Sequence, residues 1–130
     1  MEKIEESLRI IEENLPKTLE EFKSLGLIKD GIYKHLEFAI QLLIDELSEL
    51  TEGAVFSYGD IVSELHERGI LSDKDKENME FLLQLREIFI YNYDLVNDEI
   101  AFRNMKEYTE MIRSVLKTLR RKRNDRAASD

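Results

Sequence analysis

The chain contains no cysteine, one proline, two histidines and five glycines in 130 residues. Without cysteine there are no disulfides, no zinc–thiolate or iron–sulfur ligation and no thiol nucleophile. His35 and His66 are not paired with a second ligand at metal spacing, so each reads as a surface or boundary histidine, and neither a metal site nor a cofactor is expected. Glycine is too sparse for a phosphate-cradling loop, and there is no Gly-x-Ser-x-Gly elbow or Glu-x-x-His di-iron motif. No apolar run approaches the length of a membrane span, and Met1 to Leu15 carries acids in place of a basic start and an apolar stretch. These absences lead to the expectation of a cytoplasmic protein with no membrane association.

Apolar residues make up 42% of the chain and charged residues 36%, a composition that supports one folded domain and excludes wholesale disorder. The net charge of −9 is unevenly spread. Residues 1–116 hold 13 Lys and Arg against 26 Asp and Glu, whereas residues 117–130 hold six against two. So acidic a body repels phosphate backbones at long range, and any nucleic-acid contact must be local. The basic end, "LKTLRRKRNDRAASD", reads first as a solvated helix end favoured by its dipole, and second as a handle for RNA or an acidic partner. The expected organisation is a domain over 1–119 followed by a disordered basic tail over 120–130.

Helical periodicity dominates what is there. Ile4, Leu8, Ile11, Leu15, Leu19 and Phe22 recur at three- and four-residue steps and predict a first helix over Glu2 to Ser24, bent at Pro16. Asp30 is the expected cap of a second helix carrying Ile32, Leu36, Ile40, Leu43 and Leu47 and ended by Gly53. Ser57 with Asp60 opens a short helix to Gly69, and Ser72 caps a helix bearing Met79, Leu82 and Phe89. Asn97 or Asp98 caps the last, with Met105, Ile112, Val115 and Leu119. Nothing alternates long enough to be a strand. The fold class is all-α, an antiparallel bundle of four to five helices.

One segment carries more than periodicity: "QLREIFIYNYDLVNDEIAF", Gln84 to Phe102. Arg86, Tyr91 and Tyr93 stand at the junction of the two C-terminal helices, followed by an acid-rich cap. This pattern, with the helix order over about residues 2–119, resembles the HepT-like branch of the HEPN superfamily. The resemblance implies a two-fold homodimer and a metal-independent endoribonuclease, the toxin of a toxin–antitoxin pair whose antitoxin is a minimal, MntA-like nucleotidyltransferase. It also implies that the tyrosine in the position of Tyr93 is adenylylated by that partner, and it places Asp45, Glu87 and Asn92 as supporting cleft residues. Asp45 is expected to ion-pair with Arg86.

Two positions depart from the family pattern: Glu87 follows Arg86 where Asn is usual, and Tyr91 replaces His. A tyrosine of pKa about 10 is ionised to only about one part in a thousand at pH 7, so Tyr91 is a poor proton acceptor beside an imidazole. Arg86 and Tyr91 lie about 140° apart on an ideal helix, whereas Arg86 and Tyr93 share a face. Convergence therefore requires the helix to end near Ile90, or two copies to meet across a dimer axis. Two readings follow. One is a ribonuclease toxin with weak or absent activity; the other is a non-catalytic helical adaptor that binds RNA or a nucleotide within a nucleotidyltransferase complex.

Overall fold

The computed structural model describes residues 1–129, with side chains through residue 125. The described chain is helical throughout: α1 (Glu2–Asn14), α2 (Leu19–Lys23), α3 (Leu27–Ser48), α4 (Tyr58–Glu67), α5 (Asp73–Tyr91), one turn of 3-10 helix (Tyr93–Leu95) and α6 (Asp98–Ser129). Four of these are long enough to build a bundle, and their ion pairs and hydrogen bonds fix the directions. The amino terminus reaches Glu46 at the far end of α3, and Arg86 and Tyr93 on α5 and its following turn meet Gln41 and Asp30. Thus α1 and α5 both run antiparallel to α3. Glu5 and Glu12 of α1 meet Arg120 and Arg113 of α6, so that pair is antiparallel as well. The result is an up-down-up-down bundle of α1, α3, α5 and α6, with α4 as a short excursion between α3 and α5.

Helix α3 is the centre. Ile32, Leu36, Ala39, Leu43 and Leu47 bury one side while Tyr33, Ile40 and Ile44 bury another, so the helix contacts α1, α4, α5 and α6. Around it the core includes Ile4, Leu8 and Ile11 of α1, Phe22 of α2, Ile61, Val62 and Leu65 of α4, Met79, Leu82 and Phe89 of α5, and Met105, Ile112, Val115 and Leu119 of α6.

The boundaries show where local chemistry decided. Ser57, Ser72 and Asn97 each accept a backbone N–H three residues on, from Asp60, Asp75 and Ile100, as N-cap residues do. The expected single first helix is instead two. A proline crowds the residue before it out of the helical region, and Leu15 is extended at φ −74° and ψ 119°. Thr18 then caps α2 by accepting from the Glu21 N–H. Helix α3 starts at Leu27, before the expected cap Asp30, because Gly26 at φ 58° turns the chain directly into it.

The stretch expected to be a separate disordered tail is instead the end of α6, helical through Ser129. Arg123 pairs there with Glu46 and with Glu49 at 2.6 Å, and Arg120 with Glu5 at 3.4 Å, holding that end against α1 and α3. Two of the six basic residues from Lys117 onward, Arg120 and Arg123, are therefore used to neutralise the acidic body. No helix among the described residues is long and apolar enough to cross a membrane.

Candidate functional site

The last turn of α5 delivers the motif. Asn92 closes the helix by donating its N–H to the Ile88 carbonyl, then departs at φ −137° and ψ 41°, so Tyr93 begins the 3-10 turn instead of a further turn of α5. The helix thus ends at Tyr91, so Tyr93 leaves the line of α5 while Arg86 and Tyr91 stay on it.

Arg86 is half-buried and held in place. Its Nε donates to Gln41 Oε1 at 2.6 Å, and its guanidinium carbon stands 5.0 Å from the centre of the Tyr58 ring, a cation–π arrangement. Gln41 in turn donates to Asp45 Oδ1 at 2.9 Å and to the Tyr58 hydroxyl at 3.2 Å. The ion pair expected between Asp45 and Arg86 is therefore absent; Gln41 stands between them, offering its oxygen to the guanidinium and its nitrogen to the carboxylate. Only Nε of the guanidinium is engaged among the described residues, which leaves its terminal nitrogens for an anion. Tyr58 is carried to this place by the loop before α4. Glu64 ties that loop down by accepting from the backbone of Glu52 and Gly53, and any side chain at Gly53 would meet Glu64 Oε1 at 2.9 Å. A groove of about 680 Å³, lined by Phe56, Tyr58, Leu83, Gln84 and Glu87, opens beside them.

Tyr93 occupies a different place. Its hydroxyl donates to Asp30 at 2.5 Å and its ring meets the Tyr33 ring edge-on at 5.9 Å. Tyr33 donates to Asp98 at 2.6 Å, and Lys29 completes the network on the other carboxylate oxygen at 2.8 Å. Partial burial and the Asp30 carboxylate push the Tyr93 hydroxyl up, and burial with Asp98 does the same to Tyr33, so both remain protonated at neutral pH. Burial also pushes Asp98 up, but the hydrogen bonds from Lys29 and Tyr33 and the charges of Lys29 and Lys23 outweigh it and hold the carboxyl below its ordinary value.

This network has a testable pH signature. A carboxyl depressed in the folded state contributes stability that is present above its unfolded value of 3.8 and is lost as pH falls through the lower folded value. Asp98→Asn is expected to cost on the order of 1–2 kcal/mol at pH 7, since a charge-assisted hydrogen bond becomes a neutral one. Urea unfolding midpoints should show that gap constant down to about pH 4 and closing below it.

Asp30 and Gln41 lie on nearly the same side of α3 but eleven residues apart, about 16 Å along the axis. Arg86 and Tyr93, tied to one each, are held about three turns of α3 apart. Tyr91 joins neither: it is 74% exposed, about 140° round α5 from Arg86, and its hydroxyl has no partner among the described residues. Asn92 and Glu87 are exposed, the first at the end of α5 and the second on the groove beside Tyr58. The chain therefore gathers Arg86, Gln41, Asp45 and Tyr58 at one station and Tyr93, Asp30, Tyr33 and Asp98 at another, with Tyr91 projecting free. Gln41, Tyr58 and Tyr33 had not been singled out in the sequence, and Asp30 had been read only as a helix cap. For Asp30 and Gln41 the local signal is the polar stripe Asp30, Lys34, Gln41 and Asp45 at helical spacing along α3.

Neither histidine approaches this site. His35 Nδ1 lies 3.3 Å from Ser7 Oγ between α3 and α1, and His66 meets Asp73 at 2.6 Å between α4 and α5. Among the described residues no three or more His, Asp or Glu side chains converge as metal ligands would.

No curated protein matches the chain as a relative. The solved structure titled as a cytosolic protein of unknown function, YutE, from Bacillus subtilis is similar in fold, with a TM-score of 0.66 at 20% identity, over 92% of this chain and 87% of that one. The family model described as ribonuclease HepT-like matches residues 4–119, nearly the whole bundle and all of the motif segment, and the chain therefore belongs to the HepT-like family.

Proposed function

We propose that this protein is a HepT-like component of a toxin–antitoxin pair that binds RNA at the Arg86 station, with weak or absent nuclease activity, and is controlled by a minimal nucleotidyltransferase acting on Tyr93. The observation that carries the reading is Arg86 itself: anchored through Nε to Gln41, stacked on Tyr58, and with its terminal nitrogens open. A guanidinium so fixed loses little freedom on gripping a phosphate and stays charged at any physiological pH. The proton-transfer group that a ribonuclease of this family would place nearby is replaced by the exposed Tyr91, so binding persists where cleavage does not. Fluorescence anisotropy with a short single-stranded RNA at low salt should give an affinity that Arg86→Ala weakens about tenfold, the scale of one charge-assisted contact. Equal affinities for the native chain and the variant would remove the cleft from the account.

The working unit in this reading is a two-fold homodimer. A groove of about 300 Å³ between α5 and α6 is lined by Phe81, Leu85, Ile88, Leu95, Ile100 and Tyr108, and four of these are large apolar side chains 40–71% exposed. Such a patch is costly to leave in water, and an isologous interface over α5 would bring two copies of the Arg86 and Tyr91 helix together. Light scattering at micromolar concentration should give twice the chain mass of 15.4 kDa, and Ile88→Asp should give the monomer. A native monomer would contradict the dimer.

The second reading, a non-catalytic helical adaptor, is favoured by the same loss of an imidazole at position 91. It differs in requiring no cleavage from any form of the chain.

A further inference from the structure

The six cations from Lys117 onward do not share one fate. Arg120 and Arg123 turn toward α1 and α3 and are neutralised by Glu5, Glu46 and Glu49, as Arg113 is by Glu12 at 2.6 Å. On the other side of α6, Ser114, Lys117, Thr118, Arg121 and Lys122 follow one another at helical spacing and line a pocket of about 480 Å³. Lys74, from the first turn of α5, closes its far wall. None of Lys74, Lys117, Arg121 and Lys122 has an ion-pair partner among the described residues, and the two grooves described above contain no Lys or Arg. The one acid in the lining, Asp75, is only 5% exposed and is occupied: it accepts from Thr118 Oγ1 at 2.7 Å and Ser114 Oγ at 3.2 Å. It forms the floor and leaves the cationic rim to solvent, for a local balance near +3 in a chain of net charge −9.

We propose that this pocket between the start of α5 and the end of α6 is a second RNA-binding site, in which Lys74, Lys117, Arg121 and Lys122 take up backbone phosphates. The assignment rests on the reading of the chain as an RNA-binding protein given above. Mutual repulsion among four unpaired cations is relieved by a polyanion, and each phosphate so neutralised releases a counterion. The acidic body makes the placement informative, since it leaves few places where a phosphate chain is not repelled. Lys74 and Arg86 lie twelve residues apart on α5, about 18 Å, with Glu77 and Glu80 between them, so RNA would be held at two separate points. Of the three hydroxyls in the lining, those of Ser114 and Thr118 donate to Asp75, and that of Ser72 caps α5 by accepting the Asp75 N–H. The pocket therefore grips without specific polar readout, and we infer that it supplies affinity and leaves sequence choice to the Arg86 station.

The test is anisotropy of a labelled single-stranded oligoribonucleotide on the full chain over a series of KCl concentrations, with native protein, Lys117→Gln/Arg121→Gln and Arg86→Ala. Lys117 and Arg121 are exposed and make no ion pair among the described residues, so thermal melts of the double variant should match the native chain. The double variant is expected to bind about tenfold more weakly at low salt. Its slope of log affinity against log salt should fall by about 1.4, the value for two phosphate contacts to a single strand. An unchanged slope and affinity in the double variant, with Arg86→Ala weakened, would overturn the pocket and leave the cleft standing. The converse pattern would support the pocket and overturn the cleft. Poly-glutamate bound more tightly than RNA, and lost in the double variant, would assign the pocket to an acidic protein and overturn the RNA proposal.

Discussion

If the proposed function holds, co-expression with a minimal nucleotidyltransferase partner is expected to add adenylyl groups to the native chain and none to Tyr93→Phe, read directly by intact mass. Tyr93 sits in the 3-10 turn after α5, 42% exposed, with its hydroxyl proton directed at Asp30. In adenylyl transfer the tyrosine oxygen attacks the α-phosphorus of ATP, pyrophosphate leaves, and the phenolic proton must be accepted. Asp30 is already hydrogen-bonded to that proton, so Asp30→Asn should slow the transfer by about 10², the lower end of what a positioned proton acceptor supplies. The product replaces a hydrogen bond with a negatively charged phosphodiester beside Asp30. Like-charge repulsion should loosen the turn at 93–95 and raise its amide exchange. An adenylylated Tyr93→Phe chain would transfer the assignment to Tyr91, the more exposed of the two.

Most of the bundle could be read from the sequence because it is written in near neighbours. Ser57, Ser72 and Asn97 are caps whose chemistry is complete within three residues, and the apolar stripes of α3 and α6 reappear as the buried sets. The first helix was misread at Pro16: the expected bend became a break because the constraint falls on Leu15, before the proline, and Thr18 was at hand to start a new helix. The basic end was misread for a different reason. Whether a cation is solvated or paired depends on what lies across the bundle, and Glu5, Glu46 and Glu49 are 74 or more residues away in sequence from Arg120 and Arg123.

The motif segment itself was legible, and the match over residues 4–119 places it in its family. Its surroundings were not. Gln41 reaches Arg86 across 45 residues and Asp30 reaches Tyr93 across 63, contacts that no local pattern encodes. Asp45 was sought as a direct partner of Arg86 because the family resemblance implies an acid at that position. The amide of Gln41, able to donate to one and accept from the other, satisfies both without burying an ion pair.

The larger catalytic prediction concerns Tyr91→His. At 74% exposure and with no hydrogen-bond partner among the described residues, the position accepts an imidazole at little cost in packing. A histidine near pKa 6.5 can both take and return a proton at pH 7, which a phenol cannot, and general acid–base catalysis is worth about 10²–10⁴ in rate. Because Arg86 and position 91 diverge on α5, the gain should need the dimer: adding Ile88→Asp to Tyr91→His should abolish it while the RNA affinity of Arg86 largely remains. Cleavage by monomeric Tyr91→His would show that one chain can assemble the site alone.

The most direct measurement is a labelled-RNA time course with a chelator present, comparing native chain, Tyr91→Phe and Tyr91→His at equal protein concentration. The account predicts bound but uncut RNA with the native protein and Tyr91→Phe, and cleavage with Tyr91→His that Arg86→Ala suppresses. Rapid cleavage by the native chain, undiminished in Tyr91→Phe, would contradict it and place the proton-transfer group elsewhere.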